Sequence, residues 1–201
     1  MFKVYFAPFA RSLRILWTLE ELNAPYEPVR VQFPPRLAQP DYLSINPLGQ
    51  IPTLIHGETK IFESLGACEY INEVSGGDLG IGAGRPDRAN YLQWLWFGEA
   101  TLMPALASMV RHTFGPEDGR SPQALAEAKD QLLTRLSVVE ARLSGRQYLA
   151  GERFTLADVS VAYALNLGGL LRVAGEYPAE VTEYFERMKA RPAFQAAAAH
   201  A

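Results

Sequence analysis

The chain contains the stretch Asn46-Pro47-Leu48-Gly49-Gln50-Ile51-Pro52-Thr53-Leu54, and shortly afterwards Phe62-Glu63-Ser64. The first stretch is typical of a turn that leads into a strand, because proline lacks an N–H and is tolerated at a strand's first residue. The second places a carboxylate and a hydroxyl where a helix begins, and unpaired N–H groups at such an end favour anions. Together they indicate a binding site for an extended, charged small peptide.

Strand and helix signals alternate over the first part of the chain. Hydrophobic periodicity and turn residues predict strands at 3–6 and 27–32, a hairpin at 53–61, and helices at 11–22, 34–43 and 63–74. This β-α-β-α-β-β-α order predicts an α/β fold in which helices cover a small sheet, the thioredoxin-like order.

A glycine-rich segment at 75–86 separates this part from the rest, with five glycines in twelve positions. Beyond it every periodic signal is helical. Residues 88–112 predict an apolar helix kinked at Pro104, and Thr155-Leu156-Ala157-Asp158 is a capping box before an almost uncharged helix. We therefore predict a thioredoxin-like domain at 1–78, a linker at 79–86 and an all-α helical bundle at 87–201.

Composition excludes several classes of function. A net charge of −3 favours neither nucleic acid nor an anionic membrane as a partner. No apolar run approaches the roughly 18 residues of a membrane span, and the first residues lack secretory features, so we expect a cytoplasmic protein. One cysteine, Cys68, excludes an intrachain disulfide, and we interpret it as a buried packing residue. Three scattered histidines give no support to a metal site.

With these motifs in this order, the chain resembles the cytosolic glutathione S-transferase family over essentially its whole length. Residues 11–22 further resemble the first helix of bacterial members. The resemblance implies an enzyme of detoxification that transfers the thiolate of glutathione to a small hydrophobic electrophile. It also implies that glutathione serves as co-substrate without a further cofactor or metal, and that the protein is a homodimer.

The resemblance also implies a role for each residue of the two opening motifs. The bond before Pro52 would be cis, and the backbone of Ile51 would pair with the cysteinyl residue of glutathione. Ser64 would bind the glutamyl carboxylate, and Glu63 would pair with the ammonium group. An ordinary turn proline and a simple helix cap are the structural alternatives.

Five further positions complete the site that the resemblance implies. Gln50 would contact glutathione near its glycyl end, and Arg36 would bind the glycyl carboxylate, although an exposed, solvated arginine is the alternative. Phe9, Met103 and Leu167 would line the pocket for the electrophile between the two domains.

The group that activates the thiol is where this sequence departs from the family pattern. Relatives place serine or cysteine just before the first helix, but the matching position here is Ala10. A free thiol is mostly protonated at neutral pH, so a nearby donor is needed to stabilise the thiolate. Ser12 is the first substitute, Arg11 or nearby backbone N–H groups are the second, and Tyr5 is the third. The absence of any effective activator is also open.

Two other functions use the same binding site. One is a glutathione-dependent reductase or peroxidase that acts on disulfides or peroxides and consumes a second glutathione. The other is a non-catalytic protein that binds glutathione, which the alanine at position 10 favours.

Overall fold

A computed structural model describes residues 1–200 of the chain, and its first part is built on a four-stranded sheet. The strands are β1 (Phe2–Phe6), β2 (Tyr26–Arg30), β3 (Thr53–His56) and β4 (Thr59–Ile61). Their order in the sheet is β2-β1-β3-β4. β1 runs parallel to β2, while β3 is antiparallel to both β1 and β4. Tyr5 pairs with Thr53, so the residues that follow β1 lie beside the residues that precede β3, at the same end of the strands.

Helices α1 (Ser12–Glu21) and α3 (Ser64–Val74) belong to the same unit, and a short α2 (Pro35–Ala38) and a 3-10 turn (Pro40–Ser44) connect β2 to β3. α1 is buried over most of its length, both on its apolar side, which includes Ile15, Leu16 and Leu19, and at the polar residues Arg14 and Thr18. These elements confirm the predicted thioredoxin-like order.

The last residues of the chain belong to a different unit from the one that the sequence predicts. The described chain divides into one unit of residues 1–80 with 190–200 and a second unit of residues 81–189. Helix α9 (Pro192–Ala198) packs on α1, with the ring of Phe194 lying 4.9 Å from that of Trp17. Arg191 donates to both carboxylate oxygens of Glu21 at 2.6 and 2.7 Å. These contacts join the end of the chain to the sheet unit, which sequence order alone does not indicate.

The second unit is helical, as predicted. Its helices are α4 (Arg88–Trp96), α5 (Met103–Phe114), α6 (Pro122–Leu143), α7 (Leu156–Leu170) and α8 (Ala179–Lys189). α4 and α5 are joined by a π-helical segment, Phe97–Leu102, where we predicted one helix with a kink at Pro104. The backbone stays helical from this segment into α5, so Pro104 lies inside a continuous helical run. The distortion occupies the turn before the proline, where its missing N–H and its ring disturb helical hydrogen bonds.

Helix α7 is the buried centre of this unit. Ser160 donates to the carbonyl of Leu95 at 2.7 Å, and a Cβ at Gly98 would collide with Ser160, so glycine permits this close packing. Within residues 1–200 no helix is both long and apolar enough to cross a membrane.

The capping box at the start of α7 is formed as predicted. One carboxylate oxygen of Asp158 accepts from the N–H of Thr155 at 2.9 Å and from its hydroxyl at 3.2 Å. The other accepts from the N–H of Leu149 and from the hydroxyl of Tyr184, both at 3.0 Å. Burial nevertheless raises the pKa of Asp158 to about 6, because it disfavours the charged form more than the donors favour it.

Asp158 should therefore make folding stability depend on pH. A folded pKa of about 6 above an ordinary value of 3.8 means that the folded state retains the proton in this range. The contribution of this retained proton to folding stability is complete below pH 3.8 and is lost as the pH rises through about 6. Relative to Asp158→Asn, the wild-type chain should lose roughly 3 kcal/mol of unfolding free energy across this window. Urea unfolding of both proteins at several pH values measures this loss. Parallel pH profiles of the two proteins would contradict the assignment of the pH dependence to Asp158.

Candidate functional site

A network of buried hydrogen bonds shapes the loop before β3. Asn46 is fully buried, and its Nδ2 donates to the carbonyl of Gln50 at 2.9 Å and to Oγ1 of Thr53 at 3.3 Å. Its Oδ1 accepts from the N–H of Leu48 at 3.0 Å, which closes an Asx turn. The hydroxyl of Tyr42 donates to the same carbonyl of Gln50 at 3.0 Å and lies 2.6 Å from Oγ1 of Thr53. Buried side chains therefore hold the backbone that precedes Ile51 in place.

Ile51 presents its backbone at this position. Its side chain is 9% exposed and packs with Ala7, Val31 and Tyr42. The peptide bond from Ile51 to Pro52 is cis, as the family resemblance implied. No hydrogen bond to the N–H or carbonyl of Ile51 occurs among residues 1–200. A backbone with one donor and one acceptor in this arrangement can pair with an extended peptide as a short added strand.

The N-terminus of α3 lies in the same unit. Glu63 is the N-cap residue and makes no side-chain capping hydrogen bond, and its side chain is exposed. Ser64 is the first residue of the helix and is buried. Its Oγ accepts a hydrogen bond from Nη1 of Arg14 at 3.2 Å, which joins α3 to α1. The interpretation of Glu63 as a simple cap therefore has no support in the geometry. Both predicted contacts to glutathione stay predictions.

Arg36 is held against the loop rather than extended into solvent. Its Nε donates to the carbonyl of Leu48 and its Nη2 to the carbonyl of Pro47, each at 3.1 Å. Its aliphatic chain lies over Gly49, where φ is +60° and a Cβ would lie 2.5 Å from Cγ of Arg36. Arg36 thus stabilises the loop. Its contact with the glycyl carboxylate, and that of the exposed Gln50 side chain with glutathione, stay predictions.

The start of α1 alters the expectation for thiol activation. The side chain of Ser12 is buried, and its hydroxyl donates to the carbonyl of Ala7 at 3.1 Å. This geometry does not favour Ser12 as the donor to a bound thiol, because its single proton is already used. Arg11, the N-cap residue of α1, is partly exposed. Ala10 packs against the side-chain cluster that contains Ile51, so the start of α1 lies beside the predicted binding backbone.

The other predicted residues occupy different environments. Phe9 is 63% exposed with a φ of 61°, a conformation uncommon for residues other than glycine. The ring of Tyr5, the third candidate activator, lies 5.7 Å from that of Tyr42 and is tilted by 49° to it. Met103 is buried in α5 and Leu167 is half-buried in α7. Phe9 belongs to the first unit and the other two pocket residues to the second, so the predicted pocket for the electrophile stays a prediction.

Cys68 has no features of a reactive thiol. It is fully buried, and desolvation raises its pKa to about 12. Within residues 1–200 no cluster of three or more histidine, cysteine or acidic side chains is arranged to hold a metal ion.

Sequence reasoning missed the residues that support the site from within. Asn46, Tyr42 and Thr53 hold the loop, and Arg14 contacts Ser64. An asparagine followed by Pro-Leu-Gly is a turn signal that points to the Asx turn. Arg14 interrupts the otherwise apolar run from Leu13 to Trp17, which is the only signal that the sequence carries for it.

Two family models match the chain. Glutathione S-transferase, N-terminal domain, matches residues 1–73, and glutathione S-transferase, C-terminal domain, matches residues 101–192. Glutathione S-transferase F10 of Arabidopsis thaliana is 38% identical over 165 residues, which cover 78% of this chain and 76% of that protein.

Solved structures and a further group of relatives resemble the chain as well. A sphingomonad glutathione S-transferase complexed with glutathione aligns with a TM-score of 0.83 and 27% identity, covering 98% of this chain and 97% of that one. A probable elongation factor 1-gamma 1 of Arabidopsis thaliana is 29% identical over 77% of this chain, which spans 38% of that longer protein.

The loop network predicts a specific cost in stability. Asn46→Ala removes two donated hydrogen bonds and leaves the N–H of Leu48 without its acceptor. We expect the unfolding free energy to fall by about 2–3 kcal/mol, because the lost groups are buried. Ser44→Ala is the matched control, since its exposed hydroxyl also caps a local carbonyl, that of Asp41. That control should change the unfolding free energy by less than about 0.5 kcal/mol. Equal effects in denaturant titrations would contradict this account of the loop.

Proposed function

The chain belongs to the glutathione S-transferase family, and we propose that it transfers the glutathione thiolate to a small hydrophobic electrophile. The observation that carries the proposal is the backbone of Ile51 after a rigid loop, in the same unit as Ser64 at the N-terminus of α3. Glutathione has a peptide backbone and a glutamyl carboxylate that fit these two features. The glutathione complex of the sphingomonad relative supports the choice of ligand.

In the proposed complex, glutathione lies extended between the two features. Its cysteinyl N–H and C=O pair with the backbone of Ile51, and its glutamyl carboxylate accepts hydrogen bonds at the start of α3. Glu63 pairs with the ammonium group. Gln50 and Arg36 lie towards the glycyl end, where Arg36 already holds the loop. The cysteinyl sulfur then points towards the end of β1 and the start of α1, because Ala10 packs against the side-chain cluster that contains Ile51.

Transfer begins when the bound thiol loses its proton to solvent. The thiolate attacks the electrophilic carbon, a C–S bond forms, and the leaving group departs with its bonding electron pair, as chloride does from a chlorinated aromatic ring. The protein contributes by positioning the sulfur and by lowering the pKa of the thiol. Phe9, Met103 and Leu167 remain the proposed apolar contacts of the electrophile. A cytoplasmic homodimer that serves detoxification also remains a prediction from the family resemblance.

For thiol activation we propose Arg11 together with backbone N–H groups at the start of α1. Arg11 places a cation at the N-terminus of α1, and its charge and the helix dipole would both favour a thiolate bound there. We place Ser12, the first expectation from the sequence, after Arg11 because its hydroxyl donates to the carbonyl of Ala7.

A matched pair of variants tests this assignment. Arg11→Met should raise the pKa of bound glutathione by about one unit, because a cation near a thiol favours its ionised form. Ser12→Ala should leave that pKa unchanged. The ultraviolet absorbance of the bound thiolate, followed against pH, measures both. A loss of thiolate in Ser12→Ala with none in Arg11→Met would reverse the assignment.

A second candidate function is glutathione binding without catalysis. Ala10 at the usual activator position favours it, and so does the similarity to an elongation factor 1-gamma. The glutathione-dependent reductase or peroxidase uses the same binding site and requires a disulfide or peroxide substrate.

Three assays on one preparation distinguish these functions. We expect turnover with a chlorinated aromatic electrophile and glutathione, and little turnover with a glutathionylated disulfide. Retention on immobilised glutathione without either activity would support the non-catalytic function. Faster turnover of the disulfide would support the reductase. Failure of the wild-type chain to bind glutathione at all would reject all three.

A further inference from the structure

Arg14 is a charged side chain buried inside the sheet unit. It lies in α1 between the apolar residues Leu13 and Ile15, and it is fully shielded from solvent. Its Nη1 donates to Oγ of Ser64 across a sequence separation of 50 residues. Thr18, one turn later, donates from its hydroxyl to the carbonyl of Arg14 at 2.8 Å. The guanidinium thus reaches the first residue of α3 from the interior of the unit.

The direction of this hydrogen bond determines what the hydroxyl of Ser64 can do. A serine hydroxyl has one proton and two lone pairs. Because one lone pair accepts from Arg14, the proton must point elsewhere, and the adjacent positive charge makes that proton a better donor. Ser64 is therefore prepared to donate to an anion rather than to accept from a cation.

The charge of Arg14 also acts on the first turn of α3. The N-terminus of this helix already favours anions through its unpaired N–H groups and its dipole. The guanidinium adds a full positive charge behind that end. Its influence reaches along the helix, since it opposes the effect of burial on the pKa of Cys68 one turn away.

We infer that Arg14 is a positioning residue that orients the hydroxyl of Ser64 towards the glutamyl carboxylate of glutathione. This inference rests on the proposed function and adds to it the residue that prepares the carboxylate contact. Arg14 acts through Ser64 and through its charge, and it contacts no substrate. A buried, hydrogen-bonded donor needs little reorganisation when the ligand arrives, which increases its contribution to affinity.

The test separates the carboxylate contact from the rest of the ligand. Two peptides are titrated calorimetrically: glutathione, and 4-aminobutanoyl-cysteinylglycine, which lacks only the glutamyl carboxylate. Arg14→Met keeps the bulk of the side chain and removes its charge. It should raise the Kd for glutathione roughly tenfold to a hundredfold, the factor typical of a lost charge-assisted hydrogen bond. The Kd for the shortened peptide should change by less than about twofold, since no carboxylate is left to lose its donor.

Two further variants keep the outcome decisive. Arg14→Lys preserves the charge and should recover part of the affinity for glutathione. In a Ser64→Ala background, Arg14→Met should weaken glutathione binding by less than about threefold, because the two residues act as a unit. Thermal melting and circular dichroism establish that each variant is folded. If Arg14→Met does not fold, the two peptides are compared with Arg14→Lys, which should weaken the binding of glutathione in part and leave that of the shortened peptide unchanged.

Several results would overturn the inference. Equal weakening for both peptides would mean that Arg14 acts only on the fold, and so would a full additive loss in the Ser64→Ala background. Unchanged binding of glutathione to folded Arg14→Met would also reject it. In these cases the wild-type chain still binds glutathione and the proposed function stands. If the wild-type chain does not bind glutathione, the proposed function fails and this inference fails with it.

Discussion

The buried hydrogen bonds of Asn46 are the constraint on which the candidate site depends. A buried amide group must be satisfied, and the partners of Asn46 are the backbone groups of the loop that leads to Ile51. Tyr42 and Thr53 complete the network, so the carbonyl of Gln50 receives two donors. This arrangement turns a loop into a rigid support. A peptide that pairs with Ile51 therefore meets a backbone that is already in place, and binding needs little ordering.

Binding and activation have separate physical origins in this chain. The binding features use backbone groups, a buried serine and a helix end, and none of them depends on the residue before α1. The proposed activation of the thiol depends on that region, where Ala10 has no side-chain donor and the hydroxyl of Ser12 donates to the carbonyl of Ala7. A member with alanine there can bind glutathione through the same loop while stabilising its thiolate differently.

Much of the fold was predictable because it follows from local patterns. The helix predicted at 63–74 is observed as Ser64–Val74, and the capping box at Thr155 and Asp158 is formed. The residues that make up such a signal lie close together in the chain, so a single sequence is enough to recognise it. The distortion of the helix at Pro104 was predictable, although its π-helical form was not. The return of residues 190–200 to the sheet unit was not predictable, since it follows from packing between distant segments.

The candidate site was predictable in its motifs but not in its supports. Ile51, Pro52 and Ser64 stand in recognisable motifs, whereas the contact between Arg14 and Ser64 spans 50 residues and leaves no local pattern. The hydroxyl of Ser12 shows the same limit, because its partner depends on how the chain leaves β1. Sequence spacing indicates which groups are available. The direction in which each group points is settled only by packing.

A structure of the chain with glutathione bound tests the central claim most directly. The account requires the cysteinyl backbone of glutathione to pair with the N–H and carbonyl of Ile51. It also requires the glutamyl carboxylate to lie within hydrogen-bond distance of Ser64, and the sulfur to lie beside the start of α1. Glutathione bound elsewhere, or bound here with its glutamyl end away from α3, would contradict the account.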